Sequence, residues 1–368
     1  MNLYRYSGSL LSLSLALLFI SVPITNGDVP DKEEVRFGAT LSLSGGSAQF
    51  SESCRNAIEL ASADVNSGGG INGAKLRVLI EDFGDLDLKR AASAAHKLIN
   101  ADRVSAILPN WSEDTEVIAP IADRAGIVAM TLGAGGPGAA RYAPSLFRAT
   151  TSDGELAAAA ARDYRTQGAN RACVLHANTN YFQDIGKNLV DTWSSLGGVI
   201  TFHEEVDYNE HNLSSLVTRM NRRGCDVIFV WTSPAQIAKT VRELRRQRIG
   251  TPRVLPWFAD MPEVLNETKG DASSAELYRW ILKDKSFIER YKVRFGIDAR
   301  RPAGNCYDGV MRLAAAARKV GMTRDKLIQE LLASEDFSGV TGPFRILPNR
   351  ERTGEIYERA RIVDGKVG

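Results

Sequence analysis

The stretch "RVSAILPNWSEDTEVIAPIADRAGIVAMTLGAGGPG" at residues 103–138 decides the fold. It opens with a β-rich apolar run, "RVSAILP" (103–109). A segment with helical apolar spacing follows over about 114–125, and "GIVAMTL" (126–132) is a second apolar run. Strand, helix and strand in direct succession make a βαβ unit, which calls for parallel strands covered by helices.

The alternation extends in both directions. "VRFGATL" (35–41) leads into a helix pattern to about Val65, and "KLRVLIED" (75–82) leads into one over roughly 88–100. A loop, "GAGGPGAARYAPS" (133–145), and a short extended crossover, "LFRATTSD" (146–153), then interrupt the pattern. It restarts with a helix at about 153–167, "RACVLHA" (171–177), a helix at 183–196 and "GVITFHEEV" (198–206). A helix near 212–223, "DVIFVWT" (226–232), a helix to 248 and "RVLPWF" (253–258) follow. Helices near 284–295, 304–320 and 323–333 precede two last strand-like runs, "GPFRIL" and "YERARIV". Two α/β units in a chain of 368 residues imply two lobes. Open parallel sheets bind ligands past the carboxyl ends of their strands, so the residues that follow each run are the candidates for function.

Two glycine-rich runs invite a nucleotide reading and fail it. Gly133-x-Gly135-x-x-Gly138 has the letters of the dinucleotide fingerprint. That motif needs a helix opening from the glycines, whose amides and dipole hold the pyrophosphate. Here Pro137 and Pro144 bracket a stretch without helical period, after the fourth strand and not the first. Asp153, roughly where a ribose-binding acid would stand, reads as the cap of the next helix. "VNSGGGING" (65–73) runs helix–glycines–strand, the order of a helix C-cap and turn.

Apolar residues make up 44% of the chain, enough for a core in each lobe. A formal net charge of +2 gives no reason to expect nucleic acid or an acidic membrane surface as partner. The basic run "KTVRELRRQRIG" (239–250) reads as a solvated helix face. At the N-terminus, Arg5 precedes an apolar run from Leu10 to Ile20, with small residues at Thr25 and Gly27. This is the pattern of a cleavable secretory signal over 1–27, and the run is too short to span a bilayer. The mature protein is therefore expected to be exported and not embedded in a membrane. Cys54, Cys173, Cys225 and Cys306 stand in no CxxC pair. Zinc is thus poorly supported, and free thiols and disulfides both stay open. Asp82, Asp85 and Asp87 lack the twelve-residue calcium loop and read as an acidic turn. No metal or cofactor is expected.

Taken together, these segments resemble the type I periplasmic binding proteins, in particular the branched-chain amino-acid-binding family of ABC transporters. The resemblance runs over roughly 35–366. It is carried by "VRFGATLSLSGGSAQF", "AIELASADVNSGGGINGAKLRVLIEDFGD", the opening stretch, "YFQDIG", "CYDGVMRLAAAA" and "FSGVTGPFRI". It implies an α/β fold of two doubly wound parallel-sheet lobes joined by three crossovers. One lobe would hold 28–148 plus 280–338, the other 149–279 plus 339–368. The resemblance further implies a clamp that closes on a small carboxylate-bearing ligand and delivers it to an ABC permease. The alternative is a sensing subunit for a separate membrane receptor.

Site residues follow from the matching positions. Ser112 matches a serine that binds the ligand carboxylate, Tyr181 a ligand-facing tyrosine, and Phe50 a ligand-covering aromatic. Gly133 and Ala134 fit the family's small residues, whereas Gly135 stands where a hydroxyl is usual. Backbone amides there are expected to bind the anion instead. Thr232 and Ser233 end a strand at the cleft, and Asp260 is the nearest carboxylate for a ligand ammonium. Trp111, Trp231 and Trp257 beside the strand ends suggest an apolar or aromatic ligand body. An enzyme is not expected. The chain holds no HExxH, GxSxG or P-loop motif, and His176 beside the cleft is a lone candidate base.

Overall fold

The computed structural model describes residues 34–45, 48–210, 212–333 and 335–368. The expected signal segment, 1–27, lies outside the described residues. The first strand–helix series is β1 (Val35–Leu41), α1 (Ala48–Ser67), β2 (Leu76–Asp82), α2 (Leu88–His96), β3 (Ala106–Leu108), α3 (Ser112–Arg124), β4 (Val128–Thr131) and β5 (Leu146–Arg148). These strands form one five-stranded sheet in the order β2-β1-β3-β4-β5, with every pairing parallel. β5 is the start of the segment 146–153 read from sequence as an extended crossover, and it joins the edge of this sheet before the chain leaves it.

A second series follows: α4 (Gly154–Thr166), β6 (Arg171–Ala177), α5 (Asn180–Ser195), β7 (Val199–Val206), α6 (Ser214–Arg223), β8 (Val227–Trp231), α7 (Pro234–Arg246), β9 (Arg253–Leu255), α8 (Pro262–Thr268) and β10 (Glu276–Trp280). The chain then forms α9 (Lys285–Phe295), α10 (Arg301–Val320), α11 (Arg324–Ala333), the pair β11 (Phe337–Gly339) and β12 (Gly342–Phe344), and finally β13 (Tyr357–Val363) and β14 (Lys366–Val367). The second sheet runs β14-β13-β10-β9-β8-β6-β7. It is parallel from β7 to β10, but β13 joins β10 antiparallel and β14 folds back on β13. Asp364 and Gly365 turn that hairpin with positive φ at both positions, the conformation a tight two-residue turn needs.

Apolar burial divides along the same line. Phe37, Leu41 and Val128 of the first sheet share a core with Phe287, Val310 and Leu327 of α9–α11, although those helices come late in the chain. The opposite face of that sheet is covered by Leu98, Ile118 and Ile121. The second sheet buries Val174, Phe229, Val254 and Leu277 in a separate core. Cysteine pairing, left open by sequence, is settled within these units. Cys54 of α1 bonds Cys306 of α10 across 252 residues, and Cys173 of β6 bonds Cys225, just ahead of β8, across 52.

Strand β10 was not anticipated, because "ELYRW" has no apolar run. Its leading carboxylate is nevertheless buried. Glu276, 4% exposed, accepts from Tyr164 Oη at 2.8 Å, Arg359 Nη2 at 2.6 Å and Arg361 Nη2 at 2.6 Å. Partners brought from α4 and β13 make a polar residue acceptable inside a sheet.

The chain passes between the sheets three times: after β5, after β10, and between β12 and β13. One guanidinium joins all three passages. Arg301, at the start of α10, donates to Asp153 Oδ1 at 2.9 Å, to Thr150 Oγ1 at 2.7 Å, to the Thr151 carbonyl at 3.0 Å and to Glu355 Oε1 at 3.3 Å. Trp280, closing β10, donates its Nε1 to the same Asp153 Oδ1 at 2.8 Å. Glu355 also accepts from the Thr151 amide at 2.6 Å and from Asn305 Nδ2 at 3.1 Å. Burial opposes ionisation of Glu355, but Arg301 and Arg352 outweigh it and hold its carboxyl at about 2.

Two outcomes follow from this framework. Because the folded Glu355 carboxyl lies below its ordinary 4.5, its contribution is complete above about pH 4.5 and lost as pH falls through about 2. That contribution is on the order of 3 kcal/mol. Denaturant melts across that range should show a shallower acid limb in Glu355→Gln than in the wild type. Replacing Cys54 and Cys306 together by serine should lower stability by about 2–5 kcal/mol, read from the same melts.

Candidate functional site

A cavity of about 330 Å³ opens where the carboxyl ends of the two sheets face each other. Its wall is assembled from segments that follow strands. The turn after β3 presents Trp111, Ser112 and Glu113; the loop after β4 presents Gly133 and Gly135. From the second unit come Tyr181 and Phe182 after β6, Tyr208 after β7, Ser233 after β8, and Trp257 and Phe258 after β9. Phe50, in the first turn of α1, completes the ring of aromatics.

Those rings touch in series. Phe50 meets Trp111 edge-on at 6.0 Å between centroids, and meets Phe258 of the second unit at 6.4 Å. Phe258 in turn contacts Phe182 at 6.3 Å and Trp257 at 5.6 Å, and Phe182 contacts Tyr181 at 4.8 Å. Edge-to-face pairs of this kind add roughly 0.5–1.5 kcal/mol each beyond the area they bury. They also hold the cavity walls at fixed angles.

The turn carrying Ser112 is built on a buried carboxylate. Asp114 accepts from the Asn110 amide at 3.1 Å, the Trp111 amide at 2.7 Å and Thr40 Oγ1 at 2.7 Å, so the loop is tied to β1. Burial pushes the Asp114 carboxyl up to about 7 despite those donors. Ser112 Oγ accepts the Gly136 amide at 3.1 Å, which leaves its proton available to a ligand. Trp111 Nε1 is buried and has no acceptor among the described residues.

Asp153 holds the N-cap position of α4, as expected, but its side chain makes no capping bond and shapes the inner wall instead. Ser152 Oγ accepts the Gly154 amide at 3.1 Å in that place. The Asp153 carboxylate turns inward, where Tyr181 Oη and Trp257 Nε1 donate to its Oδ2 at 3.0 and 2.9 Å, opposite Arg301 and Trp280 on Oδ1. This explains Gly135. A Cβ there would stand 2.1 Å from Asp153 Oδ2 and 2.7 Å from its Cγ, with Tyr181 Cε2 at 3.2 Å. The position has no room for the hydroxyl-bearing side chain expected from the resemblance.

Phe50, Trp111, Ser112, Gly133, Gly135, Tyr181 and Ser233 stand on the cavity wall. Three expected residues do not. Ala134 is fully buried, its amide on Thr131 Oγ1 at 3.3 Å and its carbonyl on Arg148 Nη2 at 2.5 Å. Thr232 is fully buried behind Ser233, which caps α7 through the Gln236 amide. Asp260 pairs with Arg279 at 3.0 Å, away from the cavity, because the 3₁₀ turn at Trp257–Asp260 points it at β10. Two of the expected anion-binding amides are engaged within the loop's surroundings: Gly133 donates to the Asn110 carbonyl at 2.9 Å and Ala134 to Thr131 Oγ1 at 3.3 Å. Trp231 lies in the second core at 1% exposure and not on the cavity. His176 is not alone, since its Nε2 lies 2.9 Å from His203 Nε2.

Glu113, Asp153, Phe182, Tyr208 and Phe258 were missed. Four of these five stand beside a residue already singled out or directly past a strand end, so the strand-end rule applied more widely would have reached them. Asp153 had no such signal, because its partners lie 28, 104, 127 and 148 residues away.

Gly135→Ala should lower stability by about 1–3 kcal/mol in denaturant melts, because the new methyl must displace a saturated carboxylate. In Gly135→Ala/Asp153→Gly, that loss should not add to the one from Asp153→Gly alone.

Residues 34–366 match the family model described as periplasmic binding protein. An amino acid binding protein of Pseudomonas aeruginosa is 24% identical over 84% of this chain and 85% of its own length. A leucine-specific-binding protein of Salmonella typhimurium is 22% identical over 89% of each. Among solved structures, a leucine binding protein of Thermotoga maritima aligns with TM-score 0.83 at 21% identity, covering 91% of this chain and 97% of that one. An ABC-transporter solute binding protein of Rhodopseudomonas palustris, in complex with 3,4-dihydroxybenzoic acid, aligns with TM-score 0.79 at 20% identity over 91% and 95%. Paired α/β units, three passages between them and a cavity at the facing strand ends agree with a family match over nearly the whole described chain: it belongs to the periplasmic binding proteins, a family of solute-binding proteins.

Proposed function

We propose that this protein is the extracytoplasmic binding component of an ABC importer, closing on a small ligand that bears a carboxylate and a bulky apolar or aromatic body. The observation that carries the reading is the cavity of about 330 Å³ between the two sheets, walled by Phe50, Trp111, Tyr181, Phe182, Trp257 and Phe258. That volume suits a molecule of amino-acid or aromatic-acid size, and apolar walls with few polar groups are the usual form of such sites. In this reading Ser112 Oγ and Trp111 Nε1 donate to the ligand carboxylate at the positive end of α3, while the aromatic faces take the body. The names of the relatives, which refer to amino acids, and the dihydroxybenzoic acid held by a structural neighbour support the same size and class.

The first sheet with α9–α11 forms one lobe and the second sheet with β13–β14 the other. Ligand binds the closed arrangement better than the open one, so closure is a shift of population set by the difference in contacts. A permease would read the closed surface, and the protein would act as a monomer in the periplasm after removal of residues 1–27. Two disulfides suit that oxidising compartment.

A thermal-shift screen followed by calorimetry tests this reading, with amino acids, aromatic acids and short amides as the panel. A true ligand at a hundred times its dissociation constant should stabilise the protein by about 2.7 kcal/mol. Trp257→Ala should weaken binding by roughly 1–3 kcal/mol through lost aromatic contact. Tight binding of small sugars alone would overturn the proposal.

A further inference from the structure

Outside the cavity, the second unit brings two imidazoles together. His176, buried on β6, and His203, exposed on β7, lie with their Nε2 atoms 2.9 Å apart. In the parallel ladder His203 pairs with Val174 and His176 with Glu205, so the two rings are diagonal neighbours on one face of the sheet. Helix α5 closes on that face. A Cβ at Gly186 would stand 2.4 Å from His176 Cδ2, so only a glycine lets the helix lie this close to the ring.

The hydrogen bonds fix the roles of the nitrogens. A carbonyl can only accept, so the Ala177 carbonyl, 3.0 Å from His176 Nδ1, places the proton on that nitrogen. Glu205 Oε2, 4.0 Å from the same Nδ1, favours the same choice. In the neutral ring, Nε2 is left with its lone pair facing His203. An imidazole with one N–H held by a carbonyl, and its other nitrogen free to donate electrons beside a second imidazole, has the form of a metal-ligating histidine.

Among the described residues no third His, Cys, Asp or Glu completes a cluster around the pair, so water would fill the other positions of a bound ion. Geometry then selects the metal. Two nitrogens 2.9 Å apart, each about 2.0 Å from an ion, subtend roughly 90° at it. That is the cis angle of tetragonal coordination, and it is tighter than a tetrahedral zinc site takes. We infer that His176 and His203 form a binding site for a divalent ion of tetragonal preference, copper(II) before nickel(II). As the ion enters between the rings, the His203 proton moves from Nε2 to Nδ1, and both Nε2 lone pairs bind the metal. All four cysteines are paired in disulfides, so no thiol competes for the ion. The ion would tie β7, the edge strand of the second sheet, to β6, just ahead of the segments that carry Tyr181 and Tyr208 to the cavity wall.

Calorimetry with copper(II), nickel(II) and zinc(II) chlorides tests this, on the mature protein without an affinity tag, at neutral pH in a weakly coordinating buffer. Copper should bind as one equivalent, at least about tenfold tighter than zinc. Its electron paramagnetic resonance spectrum should show coupling to two imidazole nitrogens. His203→Gln, at an exposed position, should weaken copper binding by at least about tenfold, whereas His96→Gln, at the exposed end of α2, should leave it unchanged. Copper binding that survives His203→Gln, zinc held as tightly as copper, or no step at one equivalent would each overturn the inference. None of these outcomes bears on the small-ligand reading, which rests on the aromatic cavity.

Discussion

The Asp153 carboxylate and the Arg301 guanidinium, 2.9 Å apart and both nearly buried, are the contact on which the rest of the molecule depends. A buried ion pair is costly unless its remaining donors and acceptors are matched. Here they are. Asp153 receives four donors, and Arg301 is shared with Thr150, the Thr151 carbonyl and Glu355 while lying over the Trp280 ring at 5.0 Å. These partners come from all three passages between the sheets and from the cavity wall. The pair therefore fixes how the passages lie against one another and where the wall begins.

That double duty accounts for features that look unrelated along the chain. Gly135 has no side chain because Asp153 fills the space. Tyr181 and Trp257 face the cavity with their polar atoms already spent on Asp153, so they offer a ligand mainly ring surface. The loop after β4 likewise spends the amides of Gly133, Ala134 and Gly136 internally, on Asn110, Thr131 and Ser112. Ser112, Trp111 and Glu113, side by side at the start of α3, are then among the polar groups the wall still presents.

Much of the architecture was legible before any coordinates, because strand and helix periods are local signals. The runs at 35–41 and 171–177 became strands with those bounds, and the helices after 280 were anticipated to within a few residues. β10 was not, since its polar residues are tolerated only through partners in distant segments. The site divides the same way. Positions read from strand ends, such as Trp111, Ser112 and Ser233, do reach the cavity. Asp260 failed because a short 3₁₀ turn, invisible in the apolar pattern, rotates it toward Arg279. The amides of Gly133 and Gly136 are taken by Asn110 and Ser112, more than twenty residues earlier, which no local pattern in the glycine loop announces.

The same arrangement ties closure to the binding surface. Phe50 belongs to the first unit and Phe258 to the second, and their edge-to-face contact at 6.4 Å spans the cleft. Opening would break that contact and separate Trp111 from the rings of the second unit, while the Asp153–Arg301 pair lies at the passages and need not part. The passages are therefore held by saturated polar contacts, and the mouth by a few apolar ones. A ligand that fills the space among the rings adds contacts only in the closed form, and only such differential contact can move the equilibrium. Stiffness at the passages and modest adhesion at the mouth are together what a clamp that must also release its ligand requires.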